Sequence, residues 1–184
     1  MFGFRAYSLM GAAAIGASVL MGGLGFVGAT QADELSKRVA FPEGYASTFK
    51  NYLSLDRTGN DDQIIRLFAN ETAVKAAQAG EPLPDGSVLV GEIYKARKSE
   101  AGEVIESSLG RRVRDKFAAV AVMEKRSGWG RAFPDDLKNG DWDFAIFSPS
   151  GERLAGKDVN SCRSCHAPLK DSDHMFSYEH LSAK

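Results

Sequence analysis

The sequence predicts an α+β fold that is mainly an antiparallel β-sheet with a few short helices. Residues 87–94 are rich in β-branched side chains, and large apolar residues occupy alternate positions through 142–147. Gly, Pro, Asn and Asp residues form turns between these runs. Successive short strands with turns between them favour an antiparallel sheet over a helical bundle.

The first predicted elements are a short helix and a strand. Residues 33–40 are predicted to form the helix, which the turn at 41–44 ends. Gln63–Ala69 then predicts a strand, with Ile65 and Phe68 as core residues.

A second short helix follows that strand. Asn70 is suited to cap it, Glu71 suits its first turn, and Gly80 can end it. The Pro- and Gly-rich residues 82–86 then predict a tight loop.

Three features complete the predicted sheet. Residues 87–94 form a buried strand, and the charged stretch 95–106 forms a solvated hairpin or loop. Residues 116–124 and 142–147 form two more strands, and residues 148–151 turn the chain back.

One motif near the C-terminus carries most of the chemistry. Cys162 and Cys165 are the only cysteines of the chain, and His166 follows the second one directly, which makes a CxxCH sequence. Two thiols at this spacing can add to the two vinyl groups of a haem, and the adjacent imidazole can ligate the iron. The motif predicts one covalent haem c, with Cys162 and Cys165 as its thioether residues and His166 as the proximal iron ligand.

Other uses of a CxxC pair fit this sequence less well. A redox dithiol normally follows a strand, and residues 157–161 do not read as one. A zinc site needs two further ligands at metal spacing, and His174 and His180 do not complete such a pattern. A disulfide across two residues would close a very small loop and stabilise little.

The N-terminus predicts export. Arg5 precedes an apolar stretch over 6–29, and residues 27–29 or 30–32 offer a small-residue cleavage site. We therefore expect a Sec-type signal peptide over 1–32 and a periplasmic protein. The alternative is an uncleaved anchor, because the stretch is long enough to span a bilayer.

The charge balance excludes a nucleic-acid-binding surface of the usual basic kind. Removing residues 1–32 removes only Arg5, which leaves 22 basic residues against 24 acidic ones. The remaining residues 33–184 show no internal repeat or linker and are predicted to form a single domain.

Several short motifs occur in an order that resembles a known family. They are FPEGY at 41–45, Asn70 with Ala73, GEPLPDG at 80–86, VLVGE at 88–92, VMEK at 122–125, GDW at 140–142, the CxxCH, and Asp173 with Phe176. On these residues the chain resembles the cytochrome P-460 family, which includes the cytochrome c′-beta proteins. The resemblance implies a mainly antiparallel β fold, a homodimer, and a five-coordinate haem with an open distal face.

The resemblance also distinguishes two branches. The P-460 enzymes oxidise hydroxylamine and carry a lysine joined to the haem, and the matching position here is Gly91. Lys95 and Lys98 lie nearby in sequence but at the wrong register along the strand. The enzymes also place a carboxylate in the distal pocket, where this chain has Ala and Val over 118–121.

Without these two groups, the distal face is predicted to be apolar. The residues expected to line it are Leu83, Val88, Val90, Val120 and Phe144, each of which is also a plausible ordinary core residue. Such a pocket favours small neutral gases because it offers few hydrogen bonds and little charge stabilisation. The resemblance therefore predicts the c′-beta branch, with nitric oxide or carbon monoxide as ligand and with electron exchange with an unknown redox partner.

Two alternatives stay open at this point. The first is a hydroxylamine-oxidising enzyme of the P-460 kind. The second is a six-coordinate electron-transfer cytochrome with His174, Met123 or Met175 as distal ligand. Arg131 and Arg163 are candidates to pair with haem propionates, because guanidinium suits planar carboxylates, and the alternative for each is an ordinary surface charge.

Overall fold

A five-stranded antiparallel sheet forms the centre of the computed structural model, which describes residues 37–183. The strands lie side by side in sequence order: β1 (Lys50–Asp56), β2 (Gln63–Ala69), β3 (Val88–Ala96), β4 (Arg114–Lys125) and β5 (Trp142–Phe147). In the described part of the chain, four short α-helices that lie wholly within it flank the strands: α1 (Tyr45–Thr48), α2 (Glu71–Ala79), α3 (Asn160–His166) and α4 (Tyr178–Ser182). Two 3₁₀ turns cover Trp129–Ala132 and Lys170–Ser172. The predicted α+β fold is confirmed.

The strand register assigns side chains to two faces of the sheet, here called face A and face B. Paired residues of antiparallel strands share a face, and neighbours along a strand alternate between faces. Leu89 pairs with Met123, which pairs with Phe144, and this row belongs to face A. Val90 pairs with Val122 on face B.

Each face has its own core. On face A, the cluster joins Leu89 and Phe144 to Ala73 of α2, Leu181 of α4 and Met175. On face B, the buried residues of the cluster are Val39, Tyr45, Phe68, Val90, Val120, Val122, Ala145 and Phe147. The segment before β1 thus covers face B, whereas α2, α3 and α4 pack on face A.

Asn70 organises the start of α2, as predicted. Its side-chain Oδ1 accepts hydrogen bonds from the backbone N–H groups of Ala73 and Val88, both at 3.1 Å, and its Nδ2 donates to the Gly86 carbonyl at 2.8 Å. Gly80 ends the helix with a left-handed backbone, φ 72°. One side chain therefore joins the helix, the 82–86 loop and β3.

The structure differs from the sequence prediction at three places. Strand β1 was not predicted, and β3 runs on to Ala96, after which the connection to β4 makes two successive turns, closed by the bridges Lys98–Val104 and Glu106–Arg112. The helix predicted over 33–40 lies partly outside the described residues; of its described residues Lys37 is helical, whereas residues 38–40 are not. Within residues 37–183 no helix has the length and apolar character to cross a bilayer.

Candidate functional site

Helix α3 presents the CxxCH motif on one side. Cys162, Cys165 and His166 stand at positions i, i+3 and i+4, so their side chains share a helix face. Both thiols are free; Cys162 is half-buried against the face A core, and Cys165 is exposed. Burial raises the pKa of the Cys162 thiol.

The imidazole of His166 is held in one orientation. Its Nδ1 lies 2.8 Å from the backbone carbonyl oxygen of His174, so Nδ1–H is the donor and Nε2 carries the lone pair. Phe144 and Phe176 contact the ring edge to face, at centroid distances of 5.2 and 4.9 Å. Burial lowers the pKa of His166, which favours the neutral form that binds metals. The residue is prepared to act as a ligand through Nε2.

An adjacent side of α3 is anchored to the sheet. Arg163 is buried and forms an ion pair with Asp143 of β5, and it also donates to Asn160 Oδ1 at 2.8 Å. Its guanidinium lies over the ring of Phe133, and its backbone carbonyl accepts a hydrogen bond from Asn139 at 3.1 Å. The predicted role of Arg163 as a propionate partner is wrong, because its side chain points into the protein. Arg131 is exposed, and its predicted role stays a prediction.

The ring of His174 lies against the C-terminal end of α3. Its Nδ1 is 3.3 Å from the His166 carbonyl oxygen, and a methyl group at Gly140 would lie 3.5 Å from its ring. Both the backbone and the ring of His174 thus contact His166, the predicted proximal ligand, and this placement argues against His174 as a second iron ligand. Met175 is buried in the face A core, and Met123 packs at its edge.

A half-buried apolar surface continues along face A from Phe144. Gly91 pairs with Leu67 on one side and with Ala121 on the other, and Ala121 pairs with Ile146. We call this surface the apolar strip; its members are Leu53, Leu55, Ile65, Leu67, Gly91, Ile93, Ala119, Ala121 and Ile146. Apart from the buried Gly91, each is half-buried, and none of them has a titratable side chain.

These features together fit a haem. A haem needs an apolar surface for its ring, and two thiols and a neutral imidazole complete a c-type attachment. The strip supplies apolar surface that continues from Phe144, which contacts the imidazole, and within residues 37–183 no hydrogen bond engages Nε2 of His166. Among the described residues no cluster of three or more His, Cys, Asp or Glu side chains offers a separate metal site.

The residues predicted for the distal pocket do not all lie on this side. Leu83 and Phe144 belong to the face A core together with Cys162. Val88, Val90 and Val120 belong to face B, so the sheet separates them from α3. The predicted set of five therefore does not form one wall, because residues that are close in the sequence of a strand alternate between its faces.

The strip itself was missed by the sequence reasoning. Its members are spread over all five strands and come together only through the strand register. The alternation of Leu53 and Leu55 with polar residues was the available signal.

Comparison with known proteins gives one family match. A protein-family model described as Cytochrome P460 matches residues 42–177, which is most of the described chain and includes the CxxCH. No curated protein matches the chain.

Proposed function

The chain belongs to the cytochrome P460 family, and from this membership we propose that it is a mono-haem c-type cytochrome that binds nitric oxide or a similar small gas. The family is one of haem-binding cytochromes, so haem iron is the cofactor. The observation that carries the proposal is a neutral imidazole, held through Nδ1, beside an apolar strip without titratable groups. The cytochrome c′-beta branch is part of the proposal.

Each residue of the site has a defined task in this proposal. Cys162 and Cys165 hold the haem covalently, and His166 ligates the iron through Nε2. Leu83 and Phe144 are both buried in the face A core. They therefore keep water away from the side of the sheet on which α3 lies. A haem held by these residues would supply an iron able to bind a diatomic ligand.

The apolar strip supports gas binding over hydroxylamine oxidation. Oxidation of hydroxylamine removes protons, which calls for a base within hydrogen-bond reach of the substrate. The strip contains no such group, and the position of the family's cross-linking lysine is Gly91, in the middle of the strip. A neutral diatomic needs neither group.

Export, oligomeric state and electron exchange belong to the same proposal. The signal peptide predicted over 1–32 lies outside the described residues, and with it the periplasmic location stays a prediction. The homodimer and the redox partner are likewise proposed from the family resemblance. We also propose that residues 33–184 form a single haem domain.

Spectroscopy of the purified haem-loaded chain separates the three functions. We expect high-spin ferrous haem in optical and resonance Raman spectra, with a stoichiometric shift on addition of nitric oxide. A ferrous Soret band moved far to the red would indicate a lysine cross-link and the hydroxylamine-oxidising function. Low-spin spectra in both oxidation states would indicate a six-coordinate electron carrier.

Mass spectrometry of the cysteine variants tests the attachment. Cys162→Ala and Cys165→Ala should each lose one thioether and keep the haem through the other, and the variant with both replacements should carry no covalent haem. Ser164→Ala, between the two cysteines and exposed, is the control and should retain full covalent haem. Covalent haem in the double variant would contradict the assigned bonds.

A further inference from the structure

We propose that Asp173 is a positioning residue for His166: its carboxylate holds the segment whose His174 carbonyl accepts the hydrogen bond from His166 Nδ1. The inference rests on the proposed function, in which His166 Nε2 ligates the iron. Asp173 itself touches neither the imidazole nor the thiols and acts through the backbone of its neighbour.

The carboxylate of Asp173 is fixed by three separate parts of the fold. Lys125, the last residue of β4, donates from Nζ to both oxygens, at 2.8 and 2.9 Å. Trp142, the first residue of β5, donates from Nε1 at 3.3 Å, and the backbone N–H of Leu83 donates at 3.0 Å. Charge-assisted hydrogen bonds of this kind are about twice as strong as neutral ones. Asp173 therefore has little freedom to move.

The backbone at this point needs such support. Asp173 and His174 both have left-handed backbones, with φ of 51° and 61°, and they are the only described non-glycine residues with positive φ. Each such residue costs about 1–2 kcal/mol relative to an ordinary conformation. Asp tolerates this region better than most residues, and two of them in succession persist only when surrounding contacts hold them.

The direction of the His174 carbonyl follows from these contacts. The His174 N–H donates to the Leu169 carbonyl at 2.6 Å, and its ring packs against Gly140. With Asp173 fixed on one side, the carbonyl oxygen points at His166 Nδ1, 2.8 Å away. An acceptor on the second nitrogen of a ligating histidine fixes its tautomer and ring orientation and raises its basicity as a ligand. Asp173 therefore influences the iron–histidine bond from a distance.

The iron–histidine stretching frequency in resonance Raman spectra of the ferrous haem-loaded chain tests the inference. We expect this band to move to lower frequency and to broaden in Asp173→Asn, because the Lys125 ion pair is lost and the His174 carbonyl becomes mobile. Lys125→Met removes the ion pair but keeps the carboxylate for Trp142 and Leu83, and should give a smaller shift in the same direction. Asp171→Asn is the matched control, since Asp171 is an exposed acid two positions away.

A purely structural role for Asp173 gives a different result. In that case thermal stability falls in Asp173→Asn while the iron–histidine band stays at the wild-type frequency, and this outcome overturns the inference. If Asp173→Asn does not fold, the iron–histidine band is compared between Lys125→Met and Asp171→Asn. A band at the wild-type frequency in Lys125→Met then overturns the inference.

Failure of the proposed function is visible separately. If the wild-type chain carries no haem, the proposed function fails, and the positioning role is then read from the ¹⁵N shifts of the His166 ring in the same full chain. We expect a single Nδ1–H tautomer in the wild type and in Asp171→Asn, and a mixture of tautomers in Asp173→Asn. An unchanged tautomer in Asp173→Asn overturns the inference.

Discussion

Gly91 is the residue where the site and the family pattern meet most directly. It lies in the centre of the apolar strip, and a Cβ at this position would stand 3.1 Å from Ile65 Cδ1 and 3.5 Å from Leu67 Cδ2. Its φ is outside the left-handed range, so the backbone itself accepts other residues. The neighbouring Ile65 side chain restricts position 91 instead, because it has to move by a few tenths of an ångström before a Cβ fits there.

This crowding predicts coupling between positions 91 and 65. Gly91→Ala should change the free energy of unfolding by less than about 1 kcal/mol, since a strand gains from a side chain and Ile65 is only half-buried. Ile65→Val removes the Cδ1 atom and should cost less in the Gly91→Ala background, by about 0.5 kcal/mol. Urea unfolding of the four proteins measures the cycle, and costs that add without coupling would contradict the crowding.

Asp141 predicts a specific pH dependence. Backbone hydrogen bonds from Gly128 and Gly130, the latter at 3.1 Å, hold the pKa of Asp141 below its ordinary value of 3.8. A depressed folded-state pKa gives stability that is present above 3.8 and is lost as the pH falls through the folded value. As the pH falls below about 5, the free energy of unfolding should therefore decrease less steeply for Asp141→Asn than for the wild type. Asp136→Asn, at an exposed site nearby, should leave the profile unchanged. Equal profiles for wild type and Asp141→Asn would contradict this assignment.

At the level of elements, local sequence signals predicted most of the sheet. The Asn70 cap and the Gly80 stop placed α2, and the β-branched run placed β3, because each signal acts within a few residues. Strand β1 was missed since its first residues are polar and exposed. Its identity depends on pairing with β2, which is a tertiary contact.

The sequence predicted the cofactor motif of the candidate site, but it predicted only some of the residues that surround this motif. The CxxCH carries its chemistry in five consecutive residues, so sequence alone names Cys162, Cys165 and His166. The pocket depends on which face each strand residue occupies, and that follows from the register. Val90 and Gly91 are neighbours in sequence but lie on opposite faces.

The anchor beneath α3 predicts a large stability effect. Arg163 and Asp143 are 5% and 0% exposed, and removing one partner leaves the other charge buried. Asp143→Ala should therefore destabilise the chain by about 3–5 kcal/mol. The double variant Asp143→Ala with Arg163→Met should be more stable than Asp143→Ala alone, because neither charge then remains buried.

An exposed ion pair provides the control for this anchor. Glu71 and Lys75 form an i,i+4 pair on α2 at 2.6 Å, with both side chains more than 70% exposed. Glu71→Ala should have a far smaller effect than Asp143→Ala in the same urea titration. Similar effects at the two sites would mean that Asp143 is solvated in solution and that α3 is held by other contacts.

At the level of the whole molecule, the two faces of the sheet have different tasks. Face B is closed by the segment before β1, with Val39 and Tyr45 packed on Val90 and Val122. Face A is covered by α2, α3 and α4 only in part, and the apolar strip remains half-buried. The chain thus closes one core by itself, and the open part of the other is where the proposed haem would lie.

This division predicts that haem loading changes the free energy of unfolding lost on substitution in the apolar strip of face A. The loss on substitution in the face B core should stay the same. Ile65 belongs to the strip, whereas Val90 is buried in the face B core. In a haem-free background, made by replacing both Cys162 and Cys165 with Ser, Ile65→Thr should cost about 1 kcal/mol or less, since its hydroxyl can reach water. In the haem-loaded chain the same change should cost about 1–2 kcal/mol more, because the hydroxyl is then covered without a partner. Val90→Thr should cost about 1–3 kcal/mol in both forms, since its surroundings are the same. Urea unfolding of the six proteins measures the differences. An Ile65→Thr cost that is equal in the two forms would mean that the haem lies elsewhere.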